Sequence, residues 1–456
     1  MLARSALPSA RRAFSAEAVS VFNELSESVP TLSPGTLGAS PTASVTTLSN
    51  GVRVVSVDDG AHVASVGAFV AAGTRFETNA TRGAARVLKH SGFKSTQTKS
   101  ALRFFRDMED SGVVASTECD RETLVYRADV LRDGAAGALA MVAETITEPY
   151  LPGYEITESN ALAGYDAAAD RANIANVVGD MVHEVAFGRN APLGIPAVNG
   201  VFGGVSSDAV RAFRDATFAG DRIVVAGTGV DHESFVRNAE ALFSNIPAAG
   251  SAAYAPAAYV GGDKRTEASG SHVHVAIALN TATGGFGAGN DKTLLSSLVL
   301  QTMLGGGVTA AGARLTPADG ASSFAATYSD AGLLGVFGSS DGAGAGMLVS
   351  TLCGALKGAA ASPASDAELS RARNQLKAIV AQNLGTRGGV FSDLGTQVLT
   401  TGRVQSATDL YAKIDSISAA DIQGAAKVAL ASNPTVVVVG NVDEVPSFEK
   451  IVGMLK

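Results

Sequence analysis

Cysteines, charged residues and long apolar runs are scarce in this sequence, and each shortage excludes a class of protein. The 456 residues include two cysteines, Cys119 and Cys353, which lie far apart in the chain, so we expect reduced thiols and no disulfide scaffold. The apolar run 134–143 is too short to span a bilayer, and we expect no membrane-spanning segment. Charged residues make up only 17% and the net charge is −8, which argues against nucleic acid as a partner.

What remains is a globular composition with an unusual N-terminal segment. With 46% hydrophobic residues, the chain has room for two or more domains with large cores. Residues 1–16 contain three arginines and no acidic residue, which is typical of a mitochondrial transit peptide, although a disordered basic tail has the same composition. An arginine three residues before Ser15 predicts a mature N-terminus at Ser15 or shortly after it. We assign residues 1–44 to the transit peptide and a loosely structured lead-in.

The rest of the chain repeats one pattern. A helix leads through a short polar turn to a β-rich strand, a glycine and Val-Asp, first from Asp208 to Asp231 and again from Asp421 to Asp443. The elements before each copy also correspond, which indicates duplication. We therefore predict an α+β fold of two tandem homologous domains, each a mixed β-sheet packed with helices. The predicted domains are 45–245 and 268–456, joined by a linker at 246–267 that is rich in proline and glycine.

A short helix following an apolar strand carries the candidate site. Arg86, Lys89 and His90 stand at i, i+3 and i+4, so a helix places them on one face. The motif His-x-x-Glu-His uses this spacing to present two imidazoles to zinc and a carboxylate to the attacking water. Here arginine and lysine replace the first histidine and the glutamate. Two permanent cations repel a metal ion and donate no lone pair to it. Alternatively, Arg86 and Lys89 form an ordinary solvated face and His90 is a capping or packing residue.

The stretch 83–96, with its trailing Phe-Lys-Ser-Thr, resembles the motif helix of the pitrilysin-type metallopeptidases. In that family a glutamate on a later helix completes the zinc site, and the resemblance places Asp166 at that position, with Asp170 one helical turn beyond. It implies a degenerate site of Arg86, Lys89, His90 and Asp166, with no metal, no cofactor and no catalytic residue. Asp166 or Asp170 could form ion pairs with Arg86 or Lys89. An active zinc endopeptidase is the least favoured reading.

The second half resembles two sister branches of the same family. Residues 373–377 and 391–395 are similar to the regulatory α subunit of the mitochondrial processing peptidase. Residues 271–274 and 324–335 are similar to core protein 2 of ubiquinol–cytochrome c reductase. The resemblance spans roughly residues 45–450. It implies a pitrilysin-like fold that forms half of a bowl with core protein 1 or a β-type peptidase subunit.

A glycine-rich stretch distinguishes the two branches. Gly305, Gly306 and Gly307 form a candidate presequence-binding loop, although triple glycine is also typical of a helix C-terminus. The stretch is shorter than the loop of the α subunits and lacks their extended Gly-Pro-Gly-Lys segment. This favours a non-catalytic core subunit of respiratory complex III over a presequence-binding α-type subunit. The resemblance then implies a heterodimer with core protein 1 on the matrix side of the mitochondrial inner membrane, attached through cytochrome b and cytochrome c1.

Overall fold

A computed structural model describes residues 42–196, 204–250, 252, 256–268, 270–281, 291–306, 312–315 and 320–456. The predicted cleavage site near Ser15 and the last glycine of the triplet, Gly307, lie outside these residues. Residues 41–456 belong to one compact unit. Its first half comprises the described residues up to 250, and its second half those from 262 onward.

Within the described residues the chain forms eleven strands and fourteen α-helices. The strands are β1 (Ser44–Thr47), β2 (Arg53–Val57), β3 (Val63–Val70), β4 (Val114–Cys119), β5 (Leu124–Leu131), β6 (Ile223–Thr228), β7 (Gly262–Glu267), β8 (His272–Asn280), β9 (Ser322–Thr327), β10 (Gly332–Asp341) and β11 (Thr435–Gly440). The helices are α1 (Ala84–Ser91), α2 (Ala101–Asp110), α3 (Ala135–Thr147), α4 (Gly153–Ala172), α5 (Ile174–Phe187), α6 (Ser207–Thr217), α7 (His232–Phe243), α8 (Asp291–Gln301), α9 (Ala345–Ala361), α10 (Asp366–Leu384), α11 (Arg387–Thr401), α12 (Ala407–Asp415), α13 (Ala419–Leu430) and α14 (Phe448–Leu455).

The two halves contain sheets of the same design. The strand order is β1-β2-β6-β3-β5-β4 in the first sheet and β7-β11-β8-β10-β9 in the second. In each sheet a central strand, β6 or β11, runs parallel to one neighbour and antiparallel to the other. Apart from the additional β1, the two orders therefore match strand for strand. The predicted α+β fold of two tandem homologous domains with mixed sheets is confirmed.

The segment predicted as a linker, 246–267, is not entirely a connection. Its last six residues form β7, an edge strand that pairs in parallel with β11. The sequence Gly-Asp-Lys-Arg-Thr-Glu has no alternation of apolar residues, and an edge strand needs only backbone pairing on one side. The linker prediction was wrong for this portion, and the exact domain limits stay a prediction.

Each sheet is buried on both faces because its strands alternate between two cores. In β6, Ile223 and Val225 join the core formed with α3 and α7. The alternate residues, Val224 and Ala226, lie in a second cluster on the opposite face. In β11, Val436 and Val438 lie in the core on one face of the second sheet, and Val437 and Val439 lie in the cluster on the other face.

The opposite face of each sheet is covered by a helix from the other half. Phe391, Leu394 and Val398 of α11 pack on the first sheet, where Phe391 lies 5.0 Å from Phe69 between ring centroids. Reciprocally, α5 packs on the second sheet through Val182 and its neighbours. We call α5 and α11 the exchanged helices. Because each half supplies a helix to the other, the halves share their cores.

One helix among the described residues passes a length and composition test for a membrane span. It comprises α9 and the 3₁₀ turn before it, Gly342–Ala361, and half of it is buried. Leu348, Leu352 and Leu356 of this helix pack in the core of the second half. The segment Gly342–Ala361 therefore packs as a core helix of the second half.

Candidate functional site

The helix that carries the candidate site, α1, is capped from outside. Its N-cap residue, Gly83, has a φ of 90°, a left-handed conformation that favours glycine, and provides no side chain to cap the helix. Glu77 replaces the missing cap by accepting hydrogen bonds from the amides of Gly83 (2.8 Å) and Ala85 (2.9 Å). Burial raises the pKa of Glu77 to about 7, although both amide donors favour its charged form. The cap fixes the start of α1, and hence the direction of its polar face.

The polar face of α1 lies against α4 and is joined to it by ion pairs. Asp166 Oδ2 accepts hydrogen bonds from Lys89 Nζ at 2.6 Å and from His90 Nε2 at 2.9 Å. One turn further along α4, Asp170 accepts from the Arg86 guanidinium at 3.2 Å. The ion pairs anticipated from the sequence are therefore present. The solvated-face alternative is wrong for Arg86, whose side chain is only 17% exposed.

Burial and the contacts among these side chains determine the charges of His90 and Asp166. Burial lowers the pKa of His90 and neighbouring Lys89 adds to the effect, while the Asp166 carboxylate opposes it. The imidazole is therefore neutral near pH 7 and donates to Asp166 through Nε2. Burial alone would raise the pKa of Asp166, but the hydrogen bond from Lys89 holds it below its ordinary value. Asp166 is thus an anion held by one cation and one neutral donor.

This set of residues does not fit a zinc ion. A catalytic zinc site takes three protein ligands with lone pairs, usually imidazoles or carboxylates. Here Asp166 is already bound by the Lys89 ammonium, and Arg86 and Lys89 have no lone pair to offer. No group of three or more histidine, cysteine or acidic residues in the described part of the chain is placed to hold a metal.

Two cavities open beside the ion pairs. One of about 390 Å³ lies between α1 and α4, lined by the ion-paired residues and by Cys119 at the end of β4. A larger cleft of about 620 Å³ lies between the halves and includes Arg86, Cys119, Tyr328 of the second half and Thr396 of α11. Both cysteines are free thiols, and burial raises the pKa of Cys119 to about 12. The charged face of α1 therefore borders a cleft to which both halves contribute.

Comparison with known proteins places this geometry in a family. Residues 53–199 match the family described as Insulinase (Peptidase family M16), and residues 204–376 match the Peptidase M16 inactive domain. Over 433 residues the chain is 30% identical to mitochondrial-processing peptidase subunit alpha-2 of Dictyostelium discoideum, covering 90% of this chain and 94% of that protein. The chain belongs to peptidase family M16.

Relatives from both mitochondrial branches have similar sequence identity to this chain. The chain is 27% identical over 427 residues to mitochondrial-processing peptidase subunit alpha of Solanum tuberosum, covering 89% of this chain and 84% of that protein. It is also 27% identical over 423 residues to cytochrome b-c1 complex subunit 2 of Rattus norvegicus, covering 89% and 91%. The resemblance to the pitrilysin-type family, and to both of its mitochondrial branches, is confirmed.

The glycine-rich stretch of this M16 chain begins as a helix end. Residues Thr302–Gly306 form a π-helical turn after α8, and Gly305 has a φ of 144°, which ends the helical path. The side chains before it, Met303 and Leu304, are buried in the core of the second half. Gly305 and Gly306 therefore lie at a helix C-terminus, and substrate binding by this stretch stays a prediction.

Two features of this M16 site were not anticipated from the sequence. Glu77 caps α1 although it lies outside the helices and strands that a sequence pattern predicts. Only its position six residues before Gly83, the N-cap of α1, could have suggested this role. Cys119 lines both cavities although it was interpreted only as a reduced thiol. Its location depends on β4 lying at the edge of the first sheet, which sequence pattern does not reveal.

Proposed function

We propose that this chain is a non-catalytic core subunit of mitochondrial ubiquinol–cytochrome c reductase and acts by binding partners. It pairs with core protein 1 or a related β-type subunit, and this pair attaches on the matrix side of the inner membrane to cytochrome b and cytochrome c1. The chain contributes to assembly and stability of the complex, and it needs no cofactor.

The observation that carries the non-catalytic role is the ion-paired face of α1. Lys89 stands where a general base would be needed, and its ammonium is 2.6 Å from Asp166, the carboxylate expected as a metal ligand. A lysine in this ion pair is protonated and cannot accept a proton from water. Arg86 is held in the same way by Asp170. The cluster therefore joins α1 to α4 as part of a scaffold that recognises other proteins.

The choice of complex rests on the glycine-rich stretch. This stretch is short and begins at a helix end, which leaves less chain for handling presequences. Proteins named cytochrome b-c1 complex subunit 2 match this chain over nearly their whole length, and so does the α subunit of Dictyostelium discoideum. The short glycine-rich stretch therefore supports a structural subunit of the respiratory complex, and the extent of the match is similar for both complexes.

A second candidate function is favoured by sequence identity. The processing peptidase α subunit of Dictyostelium discoideum is 30% identical to this chain, against 27% for the rat cytochrome b-c1 subunit. This supports a regulatory, presequence-binding subunit that works with a catalytic β-type partner. The two functions coexist where the peptidase is built into the respiratory complex.

Fractionation of mitochondria separates the two candidates. We expect the chain to migrate with cytochrome b and cytochrome c1 on blue-native gels, as identified by mass spectrometry of the band. Depletion should lower the amount of assembled complex and its quinol oxidation. Migration wholly with a soluble matrix peptidase, with the respiratory complex intact after depletion, would support the regulatory subunit instead.

A matched pair of variants tests whether the ion-paired cluster is needed as it stands. Arg86→His with Lys89→Glu restores the residue types of the family motif, and we expect no gain in assembly or quinol oxidation over the unmodified chain. Glu233→Gln with Arg237→Gln, at an exposed pair on α7, serves as the control for surface substitution. Quinol oxidation that depends on the restored motif would argue against a purely structural subunit.

A further inference from the structure

The two halves meet at a pair of matching hairpin turns. The turn between β4 and β5 spans residues 120–123, and the turn between β9 and β10 spans residues 328–331. Each connects paired strand ends through four residues, as expected if the two domains arose by duplication. Between the two turns lies Arg75, from the 3₁₀ turn that follows β3.

Arg75 joins one carboxylate from each turn. Its Nη1 is 2.7 Å from Glu122 Oε1 in the first half. Its Nη1 and Nη2 also reach the two carboxylate oxygens of Asp330 in the second half, at 2.7 and 2.6 Å. The Arg75 side chain is 1% exposed, so this two-point contact is screened from water. We call Arg75, Glu122 and Asp330 the clasp.

The clasp also holds the surrounding backbone. Glu122 accepts hydrogen bonds from the amide and the hydroxyl of Ser329, which ties the two turns directly together. Asp330 accepts from the amide of Ala257, which lies in the connection between the halves. One guanidinium therefore fixes two turns and the connecting segment at the same place.

This place is one wall of the cleft between the halves. The cleft is lined by Glu122 of the clasp, by Cys119 and Tyr328 next to the two turns, and by Arg86 of the ion-paired cluster. The exchanged helices hold the halves together elsewhere, because α5 and α11 are packed in shared cores. Loss of the clasp would thus let the two turns part without separating the halves.

We propose that the clasp gates this cleft. With Arg75 in place the turns are held together and the cleft keeps its observed width, at which Cys119 is only partly exposed. When its contacts with Glu122 and Asp330 are broken, the turns and the connecting segment move apart and the cleft opens. The gate follows from contacts within this chain, and it stands whether the chain serves the respiratory complex or the processing peptidase.

The two cysteines provide a built-in measurement of the gate. Cys119 lines the cleft, whereas Cys353 is 1% exposed in the core of the second half. The full-length chain is incubated with a maleimide, and the labelling of each cysteine is followed by peptide mass spectrometry. In Arg75→Met we expect Cys119 to react at least tenfold faster than in the unmodified chain. Cys353 should stay protected in both, because the core does not open.

Two other variants make the measurement specific. Arg132→Met breaks a pair with Asp58 that has the same two-point geometry, with both distances 2.6 Å, but lies within the first half. We expect it to leave Cys119 labelling unchanged. Asp330→Asn keeps the shape of the clasp and the Glu122 contact while removing one charge, so its labelling rate should lie between those of the unmodified chain and Arg75→Met. This variant also serves as the test if Arg75→Met does not fold.

Two results would overturn the proposal. One is a folded Arg75→Met or Asp330→Asn variant that labels at Cys119 within twofold of the unmodified chain. The other is a parallel rise in the labelling of Cys119 and Cys353, since that would reflect general loosening of the fold. A rise confined to Cys119, absent in Arg132→Met, supports the gate.

Discussion

At the scale of single residues, the face of α1 shows how two cations determine what a site can hold. Asp166 is engaged by Lys89 and His90, and Asp170 by Arg86. A metal ion entering this position would have to displace a lysine ammonium from a carboxylate and then lie beside two permanent cations. The same contacts join α1 to α4.

The first prediction concerns metal content. We expect the purified chain to contain no stoichiometric zinc, because the residues at positions 86 and 89 repel the ion and do not bind it. Elemental analysis of the purified protein measures this directly. One zinc per chain that is lost on mutating His90 would contradict the prediction.

The second prediction concerns the contribution of Asp166 to stability. Asp166→Ala removes the acceptor shared by Lys89 and His90, and we expect it to lower the free energy of unfolding by about 1 kcal/mol. The control is Glu158→Ala on the same helix. Glu158 pairs with Lys94 but is 64% exposed, so its loss should cost less than about 0.5 kcal/mol. Denaturant titration of both variants measures the two losses of unfolding free energy. Equal losses in Asp166→Ala and Glu158→Ala would contradict the prediction.

The third prediction concerns pH and His183. This residue of α5 accepts a hydrogen bond from the Tyr328 hydroxyl at Nε2 and donates from Nδ1 to the carbonyl of Gly179. Burial lowers its pKa to about 3 from an ordinary value of 6.5, and the charge of Arg121 adds to the effect while Asp180 opposes it. The neutral imidazole is therefore favoured in the folded state. The contribution of His183 to the free energy of unfolding is fully present above pH 6.5. It is lost as the pH falls from 6.5 toward 3, by up to about 1.4 kcal/mol per pH unit.

His183→Gln tests this, because glutamine does not titrate. We expect the difference in unfolding free energy between the unmodified chain and the variant to be constant above pH 6.5. Below that pH the unmodified chain should lose stability faster. Parallel pH profiles of the two proteins would show that His183 is not the titrating group.

At the scale of secondary-structure elements, α11 shows what a close approach of helix and sheet requires. A Cβ added at Gly395 would lie 2.0 Å from a ring atom of Phe69, which is itself buried in the first sheet. A Cβ at Gly67, in β3, would lie 2.7 Å from the ring of Phe391. Two glycines therefore make room for two phenylalanines between the exchanged helix and the sheet.

The fourth prediction follows from this packing. We expect Gly395→Ala to destabilise the protein by about 1–3 kcal/mol, because the added methyl group forces Phe69 or α11 to move. The control is Gly354→Ala in α9, where an added Cβ meets no atom within 4 Å. That substitution should stabilise the helix by up to about 1 kcal/mol, since alanine favours helical conformation. Thermal unfolding of both variants measures the difference, and equal effects would contradict the packing argument.

At the scale of the whole molecule, the exchanged helices make the halves dependent on each other. Without α11 the first sheet would expose Phe69 and Val224, and without α5 the second would expose Val437. Exposing such apolar faces is costly, so neither half can keep its fold after the other has opened. Unfolding of one half should therefore be coupled to unfolding of the other.

The fifth prediction is a single unfolding transition across the described residues. We expect hydrogen exchange, followed by mass spectrometry over increasing denaturant, to give coincident midpoints for peptides from β3 and from β8. Two separated midpoints would contradict the coupling, as would independent folding of an isolated half.

Several features of this protein were determined by the sequence alone. The repeated pattern predicted the helix α6 and the β-rich strand β6, because neighbouring residues determine such elements. The repeated helix and strand predicted two tandem domains of one design. The spacing of Arg86, Lys89 and His90 predicted their common face, and the family resemblance identified Asp166 as their counterpart.

Other features were decided only by the tertiary structure. Arg75 and Asp330 lie 255 positions apart, and no local pattern marks either as the other's partner. Nor does the sequence show that α5 covers the second sheet and α11 the first, because both helices are amphipathic in the ordinary way and could pack on either. The strand β7 was missed because an edge strand is held by backbone pairing, which any polar sequence can make. Local periodicity thus fixed the elements, whereas contacts between distant residues decided how the two halves share their cores.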